Sequence, residues 1–582
     1  DIEEPVDLDD ENVIRDRLSR AAKGLASRFF ILTLLFAATL FIAIANKFNL
    51  KLGGLSDIIL YRLSSAHYLY THLTIGILSF AACSSVISNG LSRLVKLRPD
   101  GDTLCALAHV STLAAMVPYL MAGGFTQRGF SQVYLSVSLL ALIFNTLSKL
   151  FTVKTAQKNF AFTSAEDKAK FFVAICEGDG AEQLAKGAVT GIPFIASMRK
   201  TEILCDFILS TYCEDVSDRV SRKIALVTVP AAVIGGVVAY FTLGNKIVLN
   251  NVSWAVTVCS AIFALGASFS GSMIVTLPML LAAGNSRSRG SVILGYNAVE
   301  DLSETNAVLV EAKTIFPPSS VKINNICGYD KPKNRCEGKI NIDEAIIYAA
   351  SLAVASDSVL ADAFFNMLNY KQELLKPVSG CIYENNLGVM GWIDRRRVLL
   401  GNRQHMKSHE ITVPNNKKEA AANVNNDEVI YLAVGGEVCL LFFVQLTADP
   451  AIKSSVQDLA YNDVSLVVKT VDGMITSSAI TELFEIDADN VKILPFEAHE
   501  TFNENTKFVS SGSAAVSCDG TFIAFADTIT TARNIRARST LGCIVQVAGV
   551  AIGILLAIIF MLFSEIVERK ANLPMGMFNV FN

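Results

Sequence analysis

Twelve cysteines are present, but no two of them form a Cys-x-x-Cys pair. A zinc ribbon and a thioredoxin-like redox pair are thereby excluded, and the soluble parts read as reduced and cytosolic. Positive charge is not in excess either: 50 Lys and Arg stand against 54 Asp and Glu, giving a net charge of -4 and a pI near 6.0. With no basic stripe to meet phosphates, nucleic acid is excluded as a partner. The chain opens at Asp1 without a Met and shows no signal-peptide pattern, from which we expect a trimmed piece of something longer. Apolar residues, in contrast, make up 52% of the 582, with a mean hydropathy of +0.42. That is too apolar for a soluble protein, while 18% charged residues are too many for one lying wholly in a membrane. A membrane part joined to a water-soluble part is expected.

Residues 1–28 begin acidic and turn basic at Arg15, Arg17, Arg20, Lys23 and Arg28, a cytoplasmic flank by the positive-inside rule. Apolar runs long enough to span a bilayer follow at 29–48, 68–90, 102–123 and 132–152 within a block at 29–152. Arg93, Lys96 and Arg98 fall on the side that alternation makes cytoplasmic. The soluble insert 153–222 contains Ala165–Glu177 and Lys200–Tyr212, both of which read as amphipathic helix. Two further spans are expected at 223–244 and 252–284. The large block 285–538 alternates short β-like runs (Val429–Val434, Val438–Phe443, Ser465–Lys469) with helical stretches, which reads as α/β. A last span within 539–566 leaves a tail, 567–582, on the outer side.

Several segments carry a resemblance. Asp218-Arg-Val-Ser-Arg222, then Pro278, Gly284, Arg287, Gly290–Leu294 and Glu300, precede Glu311-Ala-Lys-Thr-Ile-Phe-Pro-Pro318. Leu399–Asn402, Leu446–Pro450 and Lys469-Thr-Val-Asp472 follow in order. Over roughly residues 29–566 this order resembles the heavy-metal-transporting (copper-, zinc- and cadmium-like) P-type ATPases, as a degenerate, pseudo-ATPase member. The resemblance implies an α-helical membrane domain of about seven spans with cytosolic α/β domains. These are a haloacid-dehalogenase-like phosphorylation domain (285–340 and 445–538), a nucleotide-binding-like domain inserted at 341–444, and a reduced actuator-like domain at 153–222.

Position by position, the resemblance also implies losses. With Lys313 and Thr314 in register, Ala312 occupies the place of the phosphoryl-accepting aspartate, and a methyl group has no lone pair to attack with. Ile315 and Phe316 replace Gly and Thr and would fill phosphate space; Ala498 occupies the lysine position; Thr470 and Asp472 remain from the Thr-Gly-Asp turn. Of the Mg2+-holding loop only Asp519-Gly520 is left, a pair more often found in turns. The nucleotide-like positions are Ser356, Gly388, Gly401 and Asn402, and Gly388 also reads as a tight β-turn. The nearest match to the actuator motif is Thr190-Gly-Ile192, with no carboxylate. In the transport helix Ser268, Ser270 and Gly271, ahead of Pro278, stand where Cys-Pro-Cys would bind a soft metal, and neutral hydroxyls bind Cu(I) or Zn2+ poorly. Cys105 and His109, at i and i+4, are weak metal candidates, a histidine bonded to a neighbouring helix being the plainer account.

The reading that follows is a non-catalytic pseudo-ATPase in a plasma (bacterial inner) membrane, with its N-terminus and large domains cytoplasmic. It would contact the lipid bilayer and a protein partner. No cofactor is implied, and weak ATP or Mg2+ binding stays open. Two alternatives are carried: an active cation pump using Glu311, which strand alternation would turn away from the side Ala312 faces, and a passive channel or carrier.

Overall fold

The computed structural model describes residues 11–570 apart from 49, 51–52, 54–55, 61–62, 124–132, 166–168, 177, 243–247, 268–270, 272, 329–340 and 414–426. Its membrane part is helical, as the apolar runs require: α1 (Glu11–Phe48), α2 (Ser65–Ala82), α3 (Ser84–Val95), α4 (Gly101–Met121), α5 (Leu135–Thr163), α6 (Val216–Thr242), α7 (Val248–Gly266) and α8 (Met273–Ser288). In hydrocarbon only a helix satisfies all its backbone groups internally. Apolar faces stay outward on α1 (Phe30, Leu34) and α6 (Leu226, Ile234), where lipid replaces a protein partner. Glycines set the close approaches: a Cβ at Gly236 of α6 would lie 2.3 Å from the Cys259 sulfur of α7.

The sequence reading expects about seven spans, and Asn251–Gly266 is an apolar helix shorter than a full span. Among the described residues five helices are long and apolar enough to cross a membrane, or six if the bent pair α2 and α3 is one span. That pair turns by 79° where a single span was expected at 68–90. The run 252–284 is likewise divided between α7 and α8, with Gly266 and Gly271 at the break; glycine there weakens the helix.

Two sheets form the soluble part. The first has eight strands in the order β12-β11-β4-β2-β1-β14-β3, with β13 also pairing β2. The strands are β1 (Lys170–Cys176), β2 (Ile195–Cys205), β3 (Ser291–Ile293), β4 (Ala307–Glu311), β11 (Ser465–Lys469), β12 (Val491–Ile493), β13 (Val509–Ser513) and β14 (Val516–Cys518). The second is a six-stranded antiparallel sheet, β5-β10-β9-β8-β7-β6, of β5 (Val321–Gly328), β6 (Ser379–Glu384), β7 (Gly388–Ile393), β8 (Arg396–Gly401), β9 (Glu428–Val434) and β10 (Glu437–Leu446). β5 thus joins this sheet from before residue 341. The short helices that matter below are α9 (Ala312–Ile315), α10 (Ile342–Ala355) and α11 (Arg403–Ser408).

The insert differs most from its sequence reading. Within the expected helix Ala165–Glu177, the described run Lys170–Cys176 is strand β1, and Lys200–Cys205 extends β2 before a single helical turn at Phe207–Thr211. Aromatic and β-branched side chains in Phe171–Ile175 favour a pleated, buried position. β1 and β2 pair in register from Lys170↔Thr201 to Cys176↔Ile195, and β2 runs parallel to β4 through Ile195↔Ala307, Ala196↔Val308 and Ser197↔Leu309. The insert therefore builds the middle of the first sheet.

One helix, α12 (Phe522–Lys570, 49 residues), ties that sheet to the membrane. Near its start Arg533 donates to the Thr305 carbonyl at 2.6 Å and Arg536 to Ser303 Oγ at 2.7 Å, while farther along Leu541 and Ile544 are exposed and apolar.

Candidate functional site

β4 is buried along Ala307–Val310, held between parallel β11 and β2. Its C-terminal end is where the sequence places the chemistry. Ala312 is 3% exposed and opens α9. Ile315 and Phe316 do not fill phosphate space as expected; α9 turns them into the core, where Phe316 packs on Phe484 with ring centroids 5.6 Å apart. The cavity beside Ala312 measures about 40 Å³ and is bounded by Glu311, Lys313, Ser356, Thr470 and Asp472 among others. Small-molecule sites usually offer ~300–1,000 Å³.

The polar groups around it are already engaged. Asp472 is buried; its carboxylate accepts from Val359 N at 2.8 Å and from the Ser358 hydroxyl, and its own N–H donates to Thr470 Oγ1 at 3.1 Å. Burial pushes its carboxyl above the usual range, against the pull of those two bonds. Lys313 pairs with Asp357, and Thr314 Oγ1 donates back to the Glu311 carbonyl at 2.7 Å. The cation beside the end of β4 is Lys469, whose Nζ is 3.4 Å from Glu311 Oε1 and 2.6 Å from Asn503 Oδ1. Sequence reading passed over Lys469 and Ser358 as site residues, although Lys469 ends β11 directly opposite Glu311. Glu311 corrects a second expectation: it lines the same cavity as Ala312, because the strand stops at Glu311 and the next residue is helical.

Ala498 is buried in a 3-10 turn, Phe496–Ala498. Asp519 lies beyond β14, three strands across the sheet from β4. There it accepts from Thr521 N at 3.0 Å and Thr521 Oγ1 at 2.8 Å, and Gly520 takes φ +88°. Thr190–Ile192 is exposed just ahead of β2. Since β2 and β4 are parallel, that segment sits at the end of β4 opposite to Ala312; the Ile192 carbonyl accepts from Asn306 Nδ2 at 2.9 Å.

The nucleotide-like residues are spread over two places. Ser356 caps α10, its hydroxyl donating to the Ala353 carbonyl at 3.3 Å. Gly388, Gly401 and Asn402 lie together at the β6–β7 turn. Asn402 caps α11 by accepting from His405 N at 3.0 Å and donates through Nδ2 to the Asn386 carbonyl at 2.8 Å. Gly388 has φ +149°, and a Cβ there would lie 2.4 Å from the Leu400 carbonyl oxygen. This hairpin touches the first sheet's domain: Phe496 N donates to Asn385 Oδ1 at 2.8 Å, and Tyr383 stacks on His499 at 5.3 Å. Burial lowers His405, on α11, to about 4, so its imidazole is neutral.

In the membrane part, Ser268 and Ser270 lie outside the described residues; Gly271 is a buried turn and Pro278 lies within α8. Cys105 and His109 are buried on α4 but point to different partners. Cys105 Sγ is 3.7 Å from the Ala141 carbonyl, whereas His109 bridges Ser79 and Ser138 hydroxyls, each at 3.2 Å.

No protein-family model matches the chain. A zinc-exporting P-type ATPase of Mycobacterium marinum (strain ATCC BAA-535 / M) is 22% identical over 226 residues, 38% of this chain and 30% of that protein. A manganese-exporting P-type ATPase of Mycobacterium bovis (strain ATCC BAA-935 / AF2122/97) is 21% identical over 217 residues, 37% and 29% of the two chains. The chain thus matches about a third or less of the length of these curated relatives. A solved zinc-transporting PIB-type ATPase aligns over 94% of this chain and 95% of its own, at 14% identity and a TM-score of 0.42. With helices suited to a bilayer and two sheets outside them, the chain is built as an integral membrane protein with similarity, weak in sequence, to heavy-metal-exporting P-type ATPases.

Proposed function

We propose that this protein is a pseudo-ATPase: a membrane protein of P-type architecture that forms no phosphoenzyme and acts by binding, its soluble sheets facing the cytoplasm of a plasma (bacterial inner) membrane and engaging a protein partner. The observation that carries this reading is the end of β4. Ala312 offers no nucleophile, the space beside it is about 40 Å³, and Asp472 is bonded to Ser358 and Val359. Phosphoryl transfer depends on positioned charge and Mg2+, and Asp519 stands three strands away.

One observation favours a second reading, a cation pump with Glu311 as nucleophile: Glu311 borders the same cavity and has Lys469 at 3.4 Å. Purified protein incubated with γ-labelled ATP, Mg2+ and Zn2+, Mn2+ or Cu+, then acid-quenched, separates the two. The pseudo-ATPase leaves no label on the chain. Acid-stable label on Glu311 overturns it in favour of the pump.

A further inference from the structure

The second sheet carries a cluster to which neither the sequence reading nor the pump architecture gives a role. Glu384 ends β6, and His405 and His409 lie four residues apart on and just after α11, so both rings point to one side. Among the described residues these three form the one group of His, Cys, Asp or Glu with donor atoms all within 4.8 Å of one another. Glu384 Oε1 is 2.7 Å from His409 Nε2, and Glu384 Oε2 is 3.8 Å from His405 Nε2.

His405 makes the cluster more than a surface coincidence. Its side chain is 0% exposed, and neither ring nitrogen makes a hydrogen bond of ordinary geometry, although the Leu400 backbone lies close enough to act on the ring; native interiors rarely leave such groups so weakly satisfied. The ring is also given room. A Cβ at Gly388 would lie 2.7 Å from His405 Nδ1, and one at Gly401 only 2.4 Å away. The two glycines that resemble a nucleotide motif therefore seat an imidazole, whose Nε2 is left facing the carboxylate. Glu384 and His409 are 29% and 18% exposed, which provides a path from solvent.

We propose that Glu384, His405 and His409 bind a divalent transition metal of the Zn2+ class. Two imidazoles and a carboxylate are a common Zn2+ donor set, with bonds of ~2.0–2.2 Å and a fourth position left for water. Tetrahedral ligands at that range stand roughly 3.3 Å apart, so the present spacings need only side-chain adjustment. The metal has a structural reach. Tyr383 and Asn385, on either side of Glu384, contact His499 and Phe496 of the other domain. Fixing Glu384 to α11 therefore stiffens the junction between the two soluble sheets.

The test uses the full chain in detergent, stripped with chelator and titrated calorimetrically with Zn2+, with Co2+ as a spectroscopic substitute. One Zn2+ per chain is expected, with visible Co2+ bands free of thiolate charge transfer. Because His405→Ala empties a buried site and can fail to fold, Glu384→Gln and His409→Gln carry the test. Each should weaken Zn2+ at least 10- to 100-fold, in line with losses seen at metal sites, and abolish the metal-induced rise in melting temperature. Absence of stoichiometric Zn2+, unchanged affinity in both variants, or a thiolate-dominated Co2+ spectrum would overturn the proposal.

Discussion

At the scale of single residues, the structure separates what Ala312 lacks from what its surroundings would tolerate. Ala312→Asp should not create a phosphorylatable chain, because the small cavity and the remote Asp519 are unchanged. It should also cost about 1–3 kcal/mol, the usual penalty for a poorly partnered buried polar group. Thermal unfolding together with the acid-quench assay checks both, and label on the introduced carboxylate would count against a pseudo-ATPase. Asp472 supplies a pH test. Its native pKa is raised, so the native state holds this proton to higher pH than the unfolded chain. The resulting stability is fully present at low pH and is lost as pH rises through the native value. Asp472→Asn, which can still accept from Val359 N and donate to Ser358, should therefore gain stability over the parent as pH rises from about 4 toward neutrality. Melting curves across that range would show a gap that widens upward; a gap that widens downward would contradict the burial argument.

At the scale of elements, β2 is the decisive case. Ile195 is 0% exposed and packs with Leu309, Val467, Leu494 and Phe502. Ile195→Ala should destabilise the sheet by about 2–5 kcal/mol and speed hydrogen exchange at Ala307–Val310, as no separately folded actuator-like domain would. Nothing in the local pattern of Lys200–Tyr212 distinguishes a strand from an amphipathic helix; its partners on β1 and β13 decide. The bend between α2 and α3 is similar. Thr103 Oγ1 donates to the Gly90 carbonyl at 3.0 Å, and a Cβ at Gly90 would lie 2.6 Å from the Asp102 carbonyl oxygen. Gly90→Ala should push α3 off α4 at a cost of about 1–3 kcal/mol, measurable as a fall in melting temperature.

For the whole molecule, the junction between the two soluble sheets is where a pump and a pseudo-ATPase would behave differently. The β6–β7 hairpin rests on Phe496 and His499, and Asn402 Nδ2 reaches the Gly473 carbonyl at 3.5 Å. A cycling ATPase would rearrange such a junction on binding nucleotide. Here Mg-ATP should leave hydrogen exchange of Ser379–Ile393 unchanged, whereas Zn2+ should slow it. Slowing by Mg-ATP at millimolar concentration would revive the pump reading.

The sequence by itself determined the broad plan, because apolar runs and strand-like alternation are local properties: a helical membrane part and an α/β part. It also supplied one signal that went unread, two histidines spaced for one helix face. Tertiary structure alone decided that the insert completes the sheet around β4, that Glu311 and Lys469 meet beside Ala312, and that Glu384 closes on His405 and His409. Each of these depends on pairing between segments far apart in the chain, where geometry, and not the period of any one segment, selects the partner.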